Sequence, residues 1–419
     1  MAAKKTLAHA PKVQAWKNGL LHEVPGFRTA SRHCGLKKNP EKHDLAVLAC
    51  DSLAAAAGVF TTNKVCAAPV HVTKAALLKS KGRARAVIVN AGNANACTGD
   101  QGMKDAQEMS ALTAKGLGAK GAELVLVCST GVIGRSMAME KVRAGIPQLA
   151  QQVKQSSNAG DFAAAIMTTD LVPKTAAAMV EIGGKTIHVA GACKGSGMIA
   201  PRMATTLGFV ATDAEISPAA LQAALSKVAD ETFNCVTVDG DTSTNDTVLA
   251  LASGKAGNPP IKSAKGAEFE AFQAALYAVC DSLAKQLAAD GEGAEHTITL
   301  YVGGTRNDGE ARQIARAICE SMLVKTAIFG KDPNWGRIVA AAGRSGVDFD
   351  PEEASLTVCG IELFREGQPL PFDAKQVSQA LSAREVNIVF LAGSGKGRAR
   401  FYSCDLTYGY VKINADYTT

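Results

Sequence analysis

The strongest constraint on the fold is a repeated switch between strand and helix periods along the chain. Arg85 to Ala91 (RAVIVNA), Glu123 to Cys128 (ELVLVC) and Thr186 to Ala190 (TIHVA) have the length and β-branched content of strands. Between them lie alanine-rich stretches with apolar residues at helical spacing. One is Met137 to Gln155, where Gly145 and Pro147 predict a split into two short helices. Ser217-Pro218 reads as a helix start: the hydroxyl can cap free N–H groups, proline suits the first helical position, and Leu221, Leu225 and Val228 follow on one face. A longer helix is expected from about Phe272 to Ala289, stopping at DGEG, where Gly291 or Gly293 can take the left-handed cap. Beyond it the texture changes. His296 to Val302, Ser355 to Leu363, Val386 to Leu391 and Arg400 to Asn414 are expected as antiparallel strands, with a helix from about Glu310 to Thr326 between the first two.

A chain of 419 residues is too long for one small core, and the change of texture places a boundary near residue 290. The expected units are a larger α/β domain over 1–290 and a smaller α/β domain over 291–419. A hydrophobic content of 47% with 20% charged residues is ordinary globular composition. The net charge of +6, from 45 Lys and Arg against 39 Asp and Glu, is mild, and the basic stretch Lys79 to Arg85 has no interleaved aromatics. Neither feature suits a nucleic-acid binder. Eleven cysteines stand singly, in odd number and without CxxC spacing, as expected of reduced, mostly buried thiols rather than a zinc site or a disulfide framework. The first residues show no apolar signal region, and no segment reaches the roughly 18 apolar residues of a membrane span. A cytoplasmic protein without membrane partners is the expectation.

Several motifs invite nucleotide or metal readings and fail on spacing. GSGKG at 393 to 397 lacks the earlier glycine and following hydroxyl of a P-loop and leads into a strand, so it is expected as a hairpin turn. Asp239, Asp241, Asn245 and Asp246 lack the glycine and terminal glutamate of a calcium loop, and turn-stabilising hydrogen bonds are expected there instead. The seven histidines sit in no recognisable nucleophile context, and neither GxSxG nor HExxH occurs.

The scheme left is a threonine activated by its own α-amino group, which requires that threonine to begin a chain. An internal threonine becomes one if its hydroxyl attacks the preceding carbonyl and the resulting ester is hydrolysed. KGSGMIAPRMATTLGFVATDA, residues 194 to 214, offers the small residue Ala204 before Thr205, with glycines and a proline upstream that permit a tight approach. The freed amine, with an ordinary pKa of about 8, would serve as base at neutral pH. From the residues alone, an Ala-Thr-Thr edge opening a buried strand remains the other reading.

That segment resembles the cleavage motif of the glutamate N-acetyltransferase / ornithine acetyltransferase family of arginine biosynthesis, usually KGxGMIxPxMATML. TTNKVCAAPV (61 to 70), VNAGNANACTG (89 to 99), STGVIG (129 to 134), MTTDLVPK (167 to 174), NCVTVDGDTSTNDT (234 to 247), DGEGA (290 to 294), GKDPNWGRI (330 to 338) and CDLTYGYVKINADYTT (404 to 419) also resemble family blocks, in family order. The resemblance implies a layered α-β-β-α sandwich of the kind shared with N-terminal-nucleophile-like aminopeptidases, with a second, smaller α/β domain whose C-terminal strand returns to the active site. It implies cleavage between Ala204 and Thr205, leaving chains of 1–204 and 205–419 that associate as α2β2. Thr205 is then the nucleophile, Thr130 and Gly131 the oxyanion hole, and Thr168, Lys194, Glu292, Asn414 and Thr419 the substrate contacts beside it. Thr169 adjoins Thr168, so that position is open by one residue. Thr206 stands where the family usually has methionine, and competes with Thr205 on paper.

The implied reaction moves an acetyl group from N2-acetylornithine to glutamate through acetyl-Thr205. It uses no metal or organic cofactor, and acetyl-CoA serves some relatives as a second donor. Two alternatives accompany this reading: an N-terminal-nucleophile aminopeptidase that passes the acyl group to water, and a non-processing binding protein that keeps the fold.

Overall fold

The computed structural model describes residues 11–200 and 206–416. Its larger sheet has ten strands. Eight run in the order Gln14–Ala15, Lys174–Ile182, Lys185–Lys194, Leu207–Thr212, Thr247–Ala252, Leu45–Phe60, Phe27–Arg32, Asn158–Ala159, and Arg83–Asn93 and Val125–Val132 branch from the long Leu45–Phe60 strand. The branch arises because that strand changes partners along its length. Leu45 to Cys50 pairs with Phe27–Arg32, and Leu45 to Ala49 with Arg83–Asn93 on the other edge, whereas Ala55 to Phe60 pairs with Thr247–Ala252. The register slips between Ala49 and Ala54, the irregularity expected where a strand bends.

The bend folds the sheet over on itself, and side-chain alternation then sorts every strand into layers. Ala46, Leu48, Val87, Val89, Leu126 and Cys128 on one limb meet Ala190, Ala192, Leu207, Phe209, Leu249 and Leu251 on the other in a shared core between the sheet halves. The intervening residues Leu45, Val47, Ile88, Val125 and Val127 face outward under helices Gly99–Leu117 and Met139–Gln155. Val189, Val210, Val248 and Ala250 face outward on the other limb under helices Pro218–Glu231 and Ala267–Ala289. The result is the layered α-β-β-α sandwich. A second, six-stranded sheet lies wholly between Thr297 and Cys404 and packs on helices Asp308–Cys319 and Trp335–Gly343 around its own core. Among the described residues no helix is long and apolar enough to cross a membrane.

Six local expectations differ from what forms. The strand expected from Ser355 to Leu363 is two, Ser355–Val358 and Ile361–Arg365, paired antiparallel because Cys359 and Gly360 both take positive φ and turn the chain back. Met139–Gln155 is one helix with Pro147 inside it; Val142, Ile146, Leu149 and Val153 bury one continuous stripe, and Gly145 packs where a Cβ would sit 2.9 Å from that of Cys34. The expected helix from Glu310 to Thr326 is two, Asp308–Cys319 and Met322–Phe329, because the Ser321 side chain accepts the Val324 N–H and starts a new one. Thr297–Gly304 pairs parallel, not antiparallel, with Glu385–Leu391. GSGKG is therefore not a hairpin turn: the strands Glu385–Leu391 and Gly395–Cys404 flank Thr297–Gly304, and the connection crosses its end. Gly393 passes so close that a Cβ on Gly304 would lie 2.1 Å from its carbonyl oxygen. Finally, the last strand stops at Cys404 and Tyr408–Asp416 is helical, because Thr407 Oγ1 accepts the N–H groups of Gly409 and Tyr410 and caps it.

Leu283, on the long Ala267–Ala289 helix, is fully buried, and its Cδ1 lies 2.9 Å from where a Cβ on Gly191 would sit. Leu283→Ala should therefore destabilise the larger unit by about 3 kcal/mol through lost burial and a residual cavity, read as a lowered urea midpoint with an unchanged slope.

Candidate active site

Strand Lys185–Lys194 runs antiparallel to Leu207–Thr212, with Lys194 opposite Leu207, so the chain between them leaves and re-enters the sheet at neighbouring positions. The cleft beside this opening is lined by Thr130, Gly131, Thr168, Thr169, Lys194, Glu292 and Asn414. Every described residue expected at the site is thus in one place, although they come from five separate segments. Thr168 and Thr169 both face the cleft, so the position open by one residue has both candidates present. Thr205, Ala204 and Thr419, and with them the expected cleavage point, lie outside the described residues.

Each contributor is held by identifiable local chemistry. Val125–Val132 pairs parallel with Arg83–Asn93, setting Thr130 opposite Ala91 and Gly131 opposite Gly92. Gly131 has φ +133°, and a Cβ there would lie 2.3 Å from the Gly92 carbonyl carbon, so glycine is required. The Asn245 side-chain amide donates to Ser129 O at 2.9 Å and Ala94 O at 2.6 Å, fixing this strand end from the far side. Lys194 is buried and donates through Nζ to Thr130 Oγ1 at 3.2 Å, which leaves the Thr130 hydroxyl proton to be donated elsewhere. Burial pushes the Lys194 ammonium down from its ordinary value, with Asp170 the largest opposing influence.

Glu292 lies flat against the backbone, where a Cβ on Gly197 would meet its Oε2 at 2.3 Å. Its N–H donates to Ser196 O at 3.0 Å, and Oε2 accepts from Asn414 Nδ2 at 2.8 Å. Gly293, at φ +68°, lets the Tyr408–Asp416 helix dock flush, since a Cβ would lie 2.4 Å from Tyr410 N. Thr206, the possible competitor, is committed: it is buried, its hydroxyl donates to Lys194 O at 2.8 Å, and its carbonyl accepts the Thr247 N–H at 3.0 Å. Among the described residues no histidine or cysteine lines the cleft, and no cluster of three or more His, Cys, Asp or Glu is arranged to hold a metal ion.

Sequence reasoning assigned no role to two groups. Asp239, Asp241, Ser243, Thr244, Asn245 and Tyr410 also line the cleft. The signal was present in the hydroxyl-rich and acidic NCVTVDGDTSTNDT, but read as a local turn. The second group sits behind the cleft, where fully buried Lys174 Nζ lies 2.7 Å from Asp170 Oδ1 and 2.5 Å from Asp290 Oδ2. Asp170 also accepts the N–H groups of Thr168 at 3.0 Å and Gly195 at 2.6 Å, while Asp290 accepts that of Leu171 at 3.1 Å. One ammonium therefore ties together the loops that carry Thr168, Lys194 and Glu292. Burial opposes the charge on Asp170, but Lys194 and Lys174 outweigh it and hold the carboxyl down at about 2.

Removing that cation leaves two buried carboxylates facing each other. Lys174→Met should cost about 3–5 kcal/mol of unfolding free energy. Because the folded Asp170 pKa is depressed, its stabilisation is present above the unfolded carboxylate value of about 3.9 and is lost as pH falls toward about 2. Acid titration followed by circular dichroism should show a shallower loss of stability across that window for Asp170→Asn than for the wild type.

Known proteins similar to this chain extend over nearly its whole length. The arginine biosynthesis bifunctional protein ArgJ of Shouchella clausii is 49% identical over 97% of this chain and 98% of its own. That of Symbiobacterium thermophilum is 49% identical over 96% of this chain and 100% of its own. The crystal structure of the arginine biosynthesis bifunctional protein from Bacillus halodurans aligns at 44% identity with a TM-score of 0.49, covering 50% of this chain and 98% of that one. The ArgJ family model matches residues 28–419, which take in every described segment that builds the cleft. The chain belongs to the ArgJ family.

Proposed function

We propose that the chain is a self-processing acetyltransferase of arginine biosynthesis that moves an acetyl group from N2-acetylornithine to glutamate through an acetyl-Thr205 intermediate. The observation that carries this reading is the convergence of Thr130, Gly131, Thr168, Lys194, Glu292 and Asn414 on one cleft, beside the strand Leu207–Thr212 that Thr206 leads into. The names borne by the relatives, bifunctional proteins of arginine biosynthesis, fit it.

In processing, the Thr205 hydroxyl attacks the Ala204 carbonyl, the Ala204–Thr205 C–N bond breaks, and the nitrogen takes up the proton the hydroxyl loses. Water then hydrolyses the ester, leaving an Ala204 carboxylate and a Thr205 with free amine and hydroxyl. In transfer, that amine receives the hydroxyl proton as Oγ attacks the acetyl carbon. The ornithine α-amine leaves with a proton, glutamate's amine attacks the acetyl ester, and Thr205 Oγ regains its proton. Thr130 and Gly131 supply a hydroxyl and a backbone N–H to the oxyanion of each tetrahedral intermediate. The Lys194 contact orients the Thr130 hydroxyl for that donation.

The charges of the cleft suit these substrates. Lys194 is the one cation among the described lining residues, against Asp239, Asp241 and Glu292. An α-carboxylate finds the lysine, and the side-chain ammonium of ornithine finds Glu292, oriented by Asn414. Thr419 completes this end of the site in the proposal. The bonding of Thr206 favours Thr205 as nucleophile, because a hydroxyl already donated to Lys194 O is held away from attack. The cleaved chains would act as α2β2 in the cytoplasm without a metal or organic cofactor, with acetyl-CoA as a second donor to be tested.

Denaturing electrophoresis of purified wild-type protein should show two fragments of similar size, and Thr205→Ala should remain one intact chain; an uncut wild type contradicts self-processing. Labelled acetyl should pass from N2-acetylornithine to glutamate with ping-pong kinetics and faster than it is released to water. Dominant hydrolysis would favour the aminopeptidase alternative, and the same assay with acetyl-CoA defines the donor range.

A further inference from the structure

The stretch from Thr237 to Thr247 grips the chain on both sides of the expected cleavage point. Upstream, Asp239 Oδ2 accepts the Met198 N–H at 2.6 Å and Oδ1 accepts the Ile199 N–H at 2.8 Å. Ile199 O in turn accepts the Val238 N–H at 2.9 Å and the Thr237 hydroxyl at 3.2 Å. These bonds hold Met198 at φ +56°, a left-handed conformation unfavourable for methionine, and Ile199 and Ala200 are fully buried beyond it. Downstream, Asp246 Oδ1 accepts the Thr206 N–H at 3.1 Å, and Thr247 N–H donates to Thr206 O at 3.0 Å. The second Asp246 oxygen is buried with no hydrogen-bond partner among the described residues.

We propose that Asp239 and Asp246 are positioning residues for self-cleavage, Asp239 fixing the upstream flank of the scissile segment and Asp246 the downstream flank. This inference rests on the self-processing reading above. An intramolecular attack depends on how closely the reacting atoms are held together, and a displacement of about 1 Å can cost about 10²-fold in rate. Two anchors on one short stretch, which Asn245 also ties to the Thr130 strand, set the scissile segment and the oxyanion hole in a common frame. After cleavage the two anchors part company: both lie in the C-terminal chain, but Asp239 then holds the end of the N-terminal chain while Asp246 holds the new terminus beside the nucleophile.

The chemistry of the two anchors differs in a way that can be measured. Asp246 uses a single oxygen, and burial pushes its carboxyl well above the usual carboxylate range, so an asparagine, which keeps one side-chain oxygen, preserves the acceptor. Asp239 uses both oxygens for N–H groups, so an asparagine must turn an NH2 group toward one of its two donors. Wild type, Asp246→Asn, Asp246→Leu and Asp239→Asn are translated as full-length chains in a cell-free system. Loss of the intact 419-residue band is followed with time, with thermal unfolding of each product as the folding control. Asp246→Asn should be processed within about threefold of wild type, and Asp246→Leu and Asp239→Asn about 10- to 100-fold more slowly.

Wild-type processing rates in folded Asp246→Leu or Asp239→Asn overturn the clamp, as does Asp246→Asn slowing as much as Asp246→Leu. If Asp246→Leu does not fold, the contrast between the two asparagine variants decides. Failure of the clamp alone leaves the wild type cut; an uncut wild type overturns the self-processing reading and the clamp with it.

Discussion

The antiparallel pairing of Lys185–Lys194 with Leu207–Thr212 is the constraint on which the site depends. Two strands joined by a tight turn would leave nothing to react. Here their connection is long, yet both its ends are pinned to adjacent ends of two interior strands, where Thr206 donates its hydroxyl back to Lys194 O across twelve residues of sequence. The pairing itself is secured from both faces. Leu207, Phe209 and Ala211 pack between the sheet limbs, and Val189 and Val210 pack under the long helices. Register in such a strand is strongly specified, because a slip of one residue would exchange the two cores.

Electrostatics completes what the sheet begins. Lys174 is fully buried and is satisfied by Asp170 and Asp290, which also accept three backbone N–H groups from two loops. A buried ion pair is weak evidence of net stabilisation, but breaking one is expensive, and that asymmetry gives the loops a single arrangement. Lys194 lies next to this network and shares its field with Glu292 and Asp246. The charge presented to the cleft is therefore set by groups that do not all touch it.

Much of this was legible in the sequence, for reasons that can be stated residue by residue. The strands Arg85 to Ala91 and Thr186 to Ala190 and the Ser217-Pro218 helix start are local signals, and the structure forms them where expected, with Ser217 accepting the Ala220 N–H. Thr130, Gly131, Thr168, Lys194, Glu292 and Asn414 were reached only through the resemblance of short words to family blocks, and the fold brings them to one cleft. What escaped was long-range. Lys174 and Asp290 are 116 residues apart, so nothing near either shows that they pair. The parallel partner of Thr297–Gly304 is chosen by the order of strands, which alternation does not encode. Pro147 marks a helix break by local rules, and the buried stripe of Met139–Gln155 overrides it. The acidic stretch from Asp239 to Asp246 looked like a self-contained turn because its principal partners, Met198, Ile199 and Thr206, lie elsewhere in the chain.

The central claim is that the residue preceding Thr206 becomes a chain terminus that carries the acetyl group. Mixing the protein with N2-acetylornithine in the absence of glutamate, quenching in acid and mapping peptides by mass spectrometry tests it directly. The result expected is a C-terminal chain that begins at Thr205 and bears one added acetyl group on that residue, lost when glutamate is supplied before the quench. An unmodified Thr205, or an acetyl group fixed on another side chain, would contradict it.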